Sequence, residues 1–131
     1  MVVELTSGVI ATLLEEAALA HPDECCGLLL GQGDRVETAL AAANVHASPR
    51  DHFEIDPAAL IVAHRAARSG GPQLLGYYHS HPNGRAEPSA TDQVQASGDG
   101  RIWAIIAQGG VTLWRDAPHG FEALPTRVAA G

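Results

Sequence analysis

The sequence predicts an α/β domain, one mixed sheet with helices packed on it. Three observations carry that reading. Apolar runs fold back on each other across glycine-containing turns at residues 31–34 and 108–110. Helical patterns after Ser7 and after Asp56 separate the strand runs, so some strands must be joined by helical crossovers. The chain has 131 residues, 46% of them hydrophobic, which is enough to bury a core within a single domain spanning residues 1–131.

The elements follow in order. Val2 to Leu5 reads as a short strand. Ser7 can cap a helix whose apolar residues Ile10, Leu13, Leu14 and Ala17 keep the i, i+3, i+4, i+7 spacing, and His21-Pro22 ends it. Glu24 to Leu30 is an apolar strand with an acid at its head. Arg35 to Asn44 returns beside it, and His52 to Ile55 is a further short strand. Asp56 as N-cap and Pro57 at the first helical position start a helix that stops at Ser69-Gly70-Gly71. Gln73 to Ser80 is a strand, Ser89 opens a short helix to about Ser97, and Ile102–Ala107 pairs with Val111–Arg115. Phe121 to Leu124 is the last strand.

Composition removes several functions. The formal net charge is -7 and all eight basic residues are Arg. Nucleic-acid binding needs clustered cations, so it is not expected. The absence of Lys removes Schiff-base chemistry. No apolar run approaches the ~18 residues of a membrane span, and the first residues do not read as a secretory leader, so the expected compartment is the cytoplasm. Cys25 and Cys26 are adjacent, too close to bridge, and read as buried inert thiols on opposite faces of a strand.

The segment from Tyr77 to Asp92, YYHSHPNGRAEPSATD, carries the chemistry. His79 and His81 are two apart on a strand, so they share a face with Cα atoms ~6.6 Å apart. Pro82 ends the ladder. Asp92 lies in the first turn of the next helix, where it can complete a His-His-Asp set. Three protein ligands leave a fourth tetrahedral position for water, the catalytic form of a zinc site. Ser89 and Asp92 also fit a capping box. Glu24, from the residues alone, is either a solvated acid at a strand end or a carboxylate that is paired or working.

Glu24, then His79-Ser80-His81-Pro82, six residues, Ser89, two residues and Asp92 resemble the JAMM motif of the MPN-plus (JAB-domain) metalloisopeptidases, in their small prokaryotic branch. PDECCGLLLG around the Glu and HFEIDP before the second helix fit as well. The resemblance runs from about Val2 to Leu124. It implies an MPN (JAB) fold, a curved mixed sheet flanked by helices. It implies one zinc ion with a catalytic water, held by His79, His81 and Asp92. Glu24 is then general base and acid, and Ser89 helps hold the oxyanion. The implied substrate is the peptide or isopeptide bond after the C-terminal Gly-Gly tail of a ubiquitin-like sulfur-carrier protein. Rival readings are a peptidase or amidase on small peptides and a non-catalytic MPN scaffold. Tyr77 falls on the ligand face, whereas Tyr78, Trp103 and Trp114 read as core. Arg85, on a loop between ligands, reads as solvated or as touching substrate, and His46, His52, His64 and His119 as structural or exposed.

Overall fold

Eight strands build one mixed sheet in the computed structural model, which describes all 131 residues. They are β1 (Val3–Thr6), β2 (Cys26–Gln32), β3 (Arg35–Ala42), β4 (Gln73–Ser80), β5 (Ile102–Ala107), β6 (Gly110–Ala117), β7 (Gly120–Leu124) and β8 (Thr126–Ala129). The helices are α1 (Ser7–Ala20), α2 (Pro57–Arg68) and α3 (Ala90–Gln95). The strand order is β7-β6-β5-β4-β2-β3-β1-β8. Strand β4 lies in the middle, antiparallel to β2 and parallel to β5. The α/β expectation holds, and apart from residues 52–55 the expected strand and helix starts are met to within a few residues.

Alternation along β2 and its lead-in divides the core. Cys25 and Leu29 join Val9, Leu13 and Tyr78 under α1. Cys26, Leu28 and Leu30 join Ile55, Ala63 and Leu74 under α2. Period-2 geometry makes adjacent residues face opposite layers, so the two free, buried cysteines lie on opposite sides as expected. The turn between β5 and β6 places Gln108 at φ 51° and Gly109 at φ 74°, a left-handed pair of the kind that closes two-residue hairpins. No helix is long and apolar enough to cross a membrane.

Four expectations are corrected. The N-cap of α1 is Thr6, whose side chain accepts the Val9 N–H at 3.1 Å. Strand β1 runs directly into the helix there, and Ser7 Oγ instead donates to the Gly131 carbonyl. Residues 52–55 form no strand, only the bridge Asn44↔Ile55. The Asn44 side chain replaces a ladder: it accepts the Glu54 N–H at 3.1 Å and donates to the His52 carbonyl at 3.0 Å. Strand β8 went unread because its residues are mostly exposed and carry no alternation; parallel pairing with β1 makes it. Trp114 is only half-buried, with its indole N–H on Thr112 Oγ1 at 3.0 Å.

Candidate metal centre

Period-2 geometry at the end of β4 brings His79 and His81 to one face, and the helix start at Ser89 brings Asp92 to meet them. All three are buried, at 0%, 6% and 3% exposure. The two Nε2 atoms lie 3.0 Å apart. Asp92 Oδ2 lies 3.2 Å from His79 Nε2 and 3.1 Å from His81 Nε2. One ligand atom from each residue fits within 4.8 Å of the others. Donor atoms around a tetrahedral zinc, at ~2.0–2.1 Å from it, stand about 3.3 Å from one another. Two imidazole nitrogens and a carboxylate oxygen at nearly that spacing suit zinc by donor type as well.

The surroundings orient these atoms. His81 Nδ1 lies 2.8 Å from the Arg85 carbonyl, an outer hydrogen bond that turns Nε2 toward the cluster. His79 is gripped by aromatic rings instead. Phe53 stacks on it at 4.3 Å and 19°, and the edge of Trp103 meets it at 5.7 Å. Its Nδ1 is buried without a hydrogen-bond partner. Asp92 and Ser89 form the expected capping box. Ser89 N–H donates to Asp92 Oδ2 at 2.9 Å, and Asp92 N–H donates to Ser89 Oγ at 3.0 Å. This leaves the Ser89 hydroxyl proton free.

Burial and these contacts set the charges. Burial opposes ionisation of Asp92, but hydrogen bonds from both imidazoles outweigh it and hold the carboxyl well below its usual range. Burial keeps His79 neutral, with its pKa lowered despite Asp92. At His81, burial is overcome by Asp92 and the Arg85 carbonyl, and the pKa rises.

Glu24 is only 6% exposed, so it is not a solvated strand end. Burial pushes its carboxyl up to about 7, and the charges it feels most are His81, which lowers it, and Asp92, which raises it. Its backbone is clamped. The N–H donates to the Pro49 carbonyl at 2.7 Å, and Asn44 Nδ2 donates to the Glu24 carbonyl at 3.0 Å. Next to it, Cys25 N–H donates to Ser80 Oγ at 2.9 Å, tying this segment to β4 between the two histidines. Burial raises both thiols, Cys26 to about 12, which leaves them unreactive near neutral pH.

Sequence reasoning missed the roles of Phe53 and Asn44, which have no spacing signal, and read Ser80 only as part of the motif, because its bond to Cys25 N–H spans 55 residues. Tyr77 does lie on the ligand side, where it lines a cavity of about 520 Å³ with Phe53 and Trp103. Arg85 lines a second cavity of about 520 Å³ with His81 and Ser89. Of the other histidines, His46 and His52 stack on each other at 4.6 Å, and neither they nor His64 and His119 join the cluster.

A central strand and a short helix thus bring together a buried His-His-Asp set that could hold one metal ion. The chain belongs to the prokaryotic homologs of the JAB domain, whose family model matches residues 6–117. It is 38% identical over 104 residues to the desampylase of Haloferax volcanii, covering 78% of this chain and 75% of that one. It is 43% identical over 86 residues to a probable TtuB-protein conjugate cleaving protease of Thermus thermophilus. That match covers 66% of this chain and 55% of the relative. A solved protein from Desulfitobacterium hafniense superposes with a TM-score of 0.86 at 30% identity, covering 100% of this chain and 94% of that one.

Proposed function

We propose that this chain is a JAMM-type zinc metallopeptidase. Its substrate is the peptide or isopeptide bond after the C-terminal Gly-Gly tail of a ubiquitin-like sulfur-carrier protein. Residues 1–131 act as a single catalytic domain, and the cytoplasm is its compartment. One observation carries the reading. In a JAB-family chain, His79, His81 and Asp92 converge in a buried cluster, and the buried carboxyl of Glu24 feels the charges of His81 and Asp92. Family relatives that cleave protein conjugates support the substrate class.

His79, His81 and Asp92 are the residues that would hold the metal. Zinc held there would polarise the scissile carbonyl and bring the pKa of a water toward ~7. The chain's own groups handle the protons. Glu24, with its carboxyl at about 7, is balanced to take a proton from the attacking water and return it to the leaving amine. The Ser89 hydroxyl, held by Asp92 N–H and with its own proton free, donates to the carbonyl oxygen as charge develops there. Phe53 and Trp103, packed on His79, keep bulk water off that side of the cluster. No group forms a covalent intermediate, in agreement with the unreactive thiols.

The test offers zinc-loaded protein three substrates in parallel: a carrier with one amino acid after Gly-Gly, a carrier joined to a lysine side chain, and a short Gly-Gly peptide. Cleavage of either carrier adduct, abolished in Glu24→Gln, supports the proposal. Cleavage of the free peptide alone selects the small-peptide reading. Zinc-loaded protein that cleaves none of them selects the scaffold reading.

A further inference from the structure

The helix that supplies Asp92 has no apolar anchor. Asp92 is its only buried residue, and Val94, its apolar residue besides Ala90, is 83% exposed. Six residues are far too few to hold a helix in place by themselves. The capping box fixes the first turn to itself, not to the sheet. Apart from the two imidazoles themselves, nothing within the helix holds Asp92 in place.

The pins come from one face of β6. Asp116, 1% exposed, accepts the N–H groups of Ser97 and Gly98, each at 3.1 Å. Those two residues follow closely on the end of α3. Gly98 has φ +71°, and a Cβ there would meet Pro118 Cα at 3.2 Å, so this turn is shaped for glycine. The backbone of Asp116 adds two bonds: its N–H donates to the Arg101 carbonyl at 2.9 Å, and its carbonyl accepts from Gly100 at 2.8 Å. Upstream of α3, Thr112 Oγ1 donates to the Ala86 carbonyl at 2.6 Å and is itself held by the Trp114 indole. Thr112, Trp114 and Asp116 alternate along β6 and share a face, while Leu113 points to the core.

We propose that this polar face of β6 positions α3, and that Asp116 is the positioning residue that keeps Asp92 in the metal-binding set. Thr112 holds the loop entering α3 and Asp116 holds the loop leaving it. The proposal rests on the metal reading of His79, His81 and Asp92. Replacing Asp116 by Ala leaves two N–H groups without their acceptor. Asn restores one acceptor oxygen and sets an amide N–H₂ against the other donor.

The test compares Asp116→Ala, Asp116→Asn and Thr112→Val with wild type. Val36→Ala, in the core of β3, is the control for general destabilisation. Two readouts are taken well below each protein's melting temperature. Hydrogen exchange is followed in metal-free protein at the Ala96 amide, which donates to the Asp92 carbonyl at 2.9 Å. Zinc affinity is measured by competition with a chelator. Asp116→Ala should exchange at least tenfold faster at Ala96 and bind zinc up to about tenfold more weakly, the low end of the range for groups bonded directly to a metal ligand, because Asp116 acts one step further out. Asp116→Asn should fall between, Thr112→Val should shift both values in the same direction, and Val36→Ala should leave both near wild type. Unchanged zinc affinity and exchange in Asp116→Ala, or equal losses in Val36→Ala, overturn the positioning role alone. Wild-type protein that binds no zinc overturns the metal reading on which the role rests.

Discussion

Substituting Glu24 by Gln separates the burial of this group from its chemistry. The folded carboxyl sits at about 7 against an ordinary 4.5. A raised carboxyl means that the folded state holds its proton more tightly than the unfolded chain. Below pH 4.5 both states are protonated and the group costs nothing. Between 4.5 and 7 the unfolded chain ionises first, and stability falls by up to ~1.4 kcal/mol for each pH unit. Above 7 the loss is complete, at most about 3 kcal/mol. Gln keeps the shape and cannot ionise. Glu24→Gln should therefore match wild type at pH 4 and be more stable at pH 8. At roughly 3 °C per kcal/mol for a chain of this length, the gain in Tm is up to about 10 °C. The assay is thermal unfolding of chelator-treated protein from pH 4 to 8, because a cation beside Glu24 would favour its charged form. A Tm difference that stays flat across this range would refute the burial argument. In zinc-loaded protein the same variant should keep its metal and lose about 10²–10⁴-fold in turnover; full activity would refute the assignment of the base.

Three further outcomes follow from the geometry. His79→Ala should reduce bound zinc from about one per chain to none, as read by metal analysis after dialysis, because two remaining ligands make a poor site. Phe53→Leu removes the ring stacked on His79 and should weaken zinc binding several-fold in chelator competition, with a Tm loss equivalent to about 1 kcal/mol. Gly76→Ala should fail to give a cooperative unfolding transition. A Cβ there would lie 1.8 Å from the Ile102 carbonyl oxygen and 2.6 Å from its carbon, and backbone on a central parallel pair cannot move aside as a side chain does.

The sequence also shows which parts of a site are legible without coordinates. His79 and His81 are readable because strand geometry fixes residues two apart on one face. The Ser89–Asp92 capping box is readable because its two partners lie within one turn. Glu24 is different. Its spacing from the histidines has meaning only through the family resemblance, since residues 55 positions apart meet only when β2 and β4 pair, with Cys26 opposite His79. Its burial could not be read at all, and the simpler reading of a solvated acid is wrong.

By itself, the sequence determined the α/β class, the helix starts at Asp56 and Ser89, the central strand from Gln73 to Ser80 and the meeting of His79, His81 and Asp92. Each follows from local rules of periodicity, capping and spacing. Only the tertiary structure decided that Asn44 replaces a strand ladder at residues 52–55, that β8 forms as an edge beside β1, that Phe53 and Trp103 enclose His79, and that Asp116 pins the far end of α3. Those contacts join residues far apart in the chain. Their energies come from burial and hydrogen bonds that exist only after the sheet has assembled, so no local pattern records them.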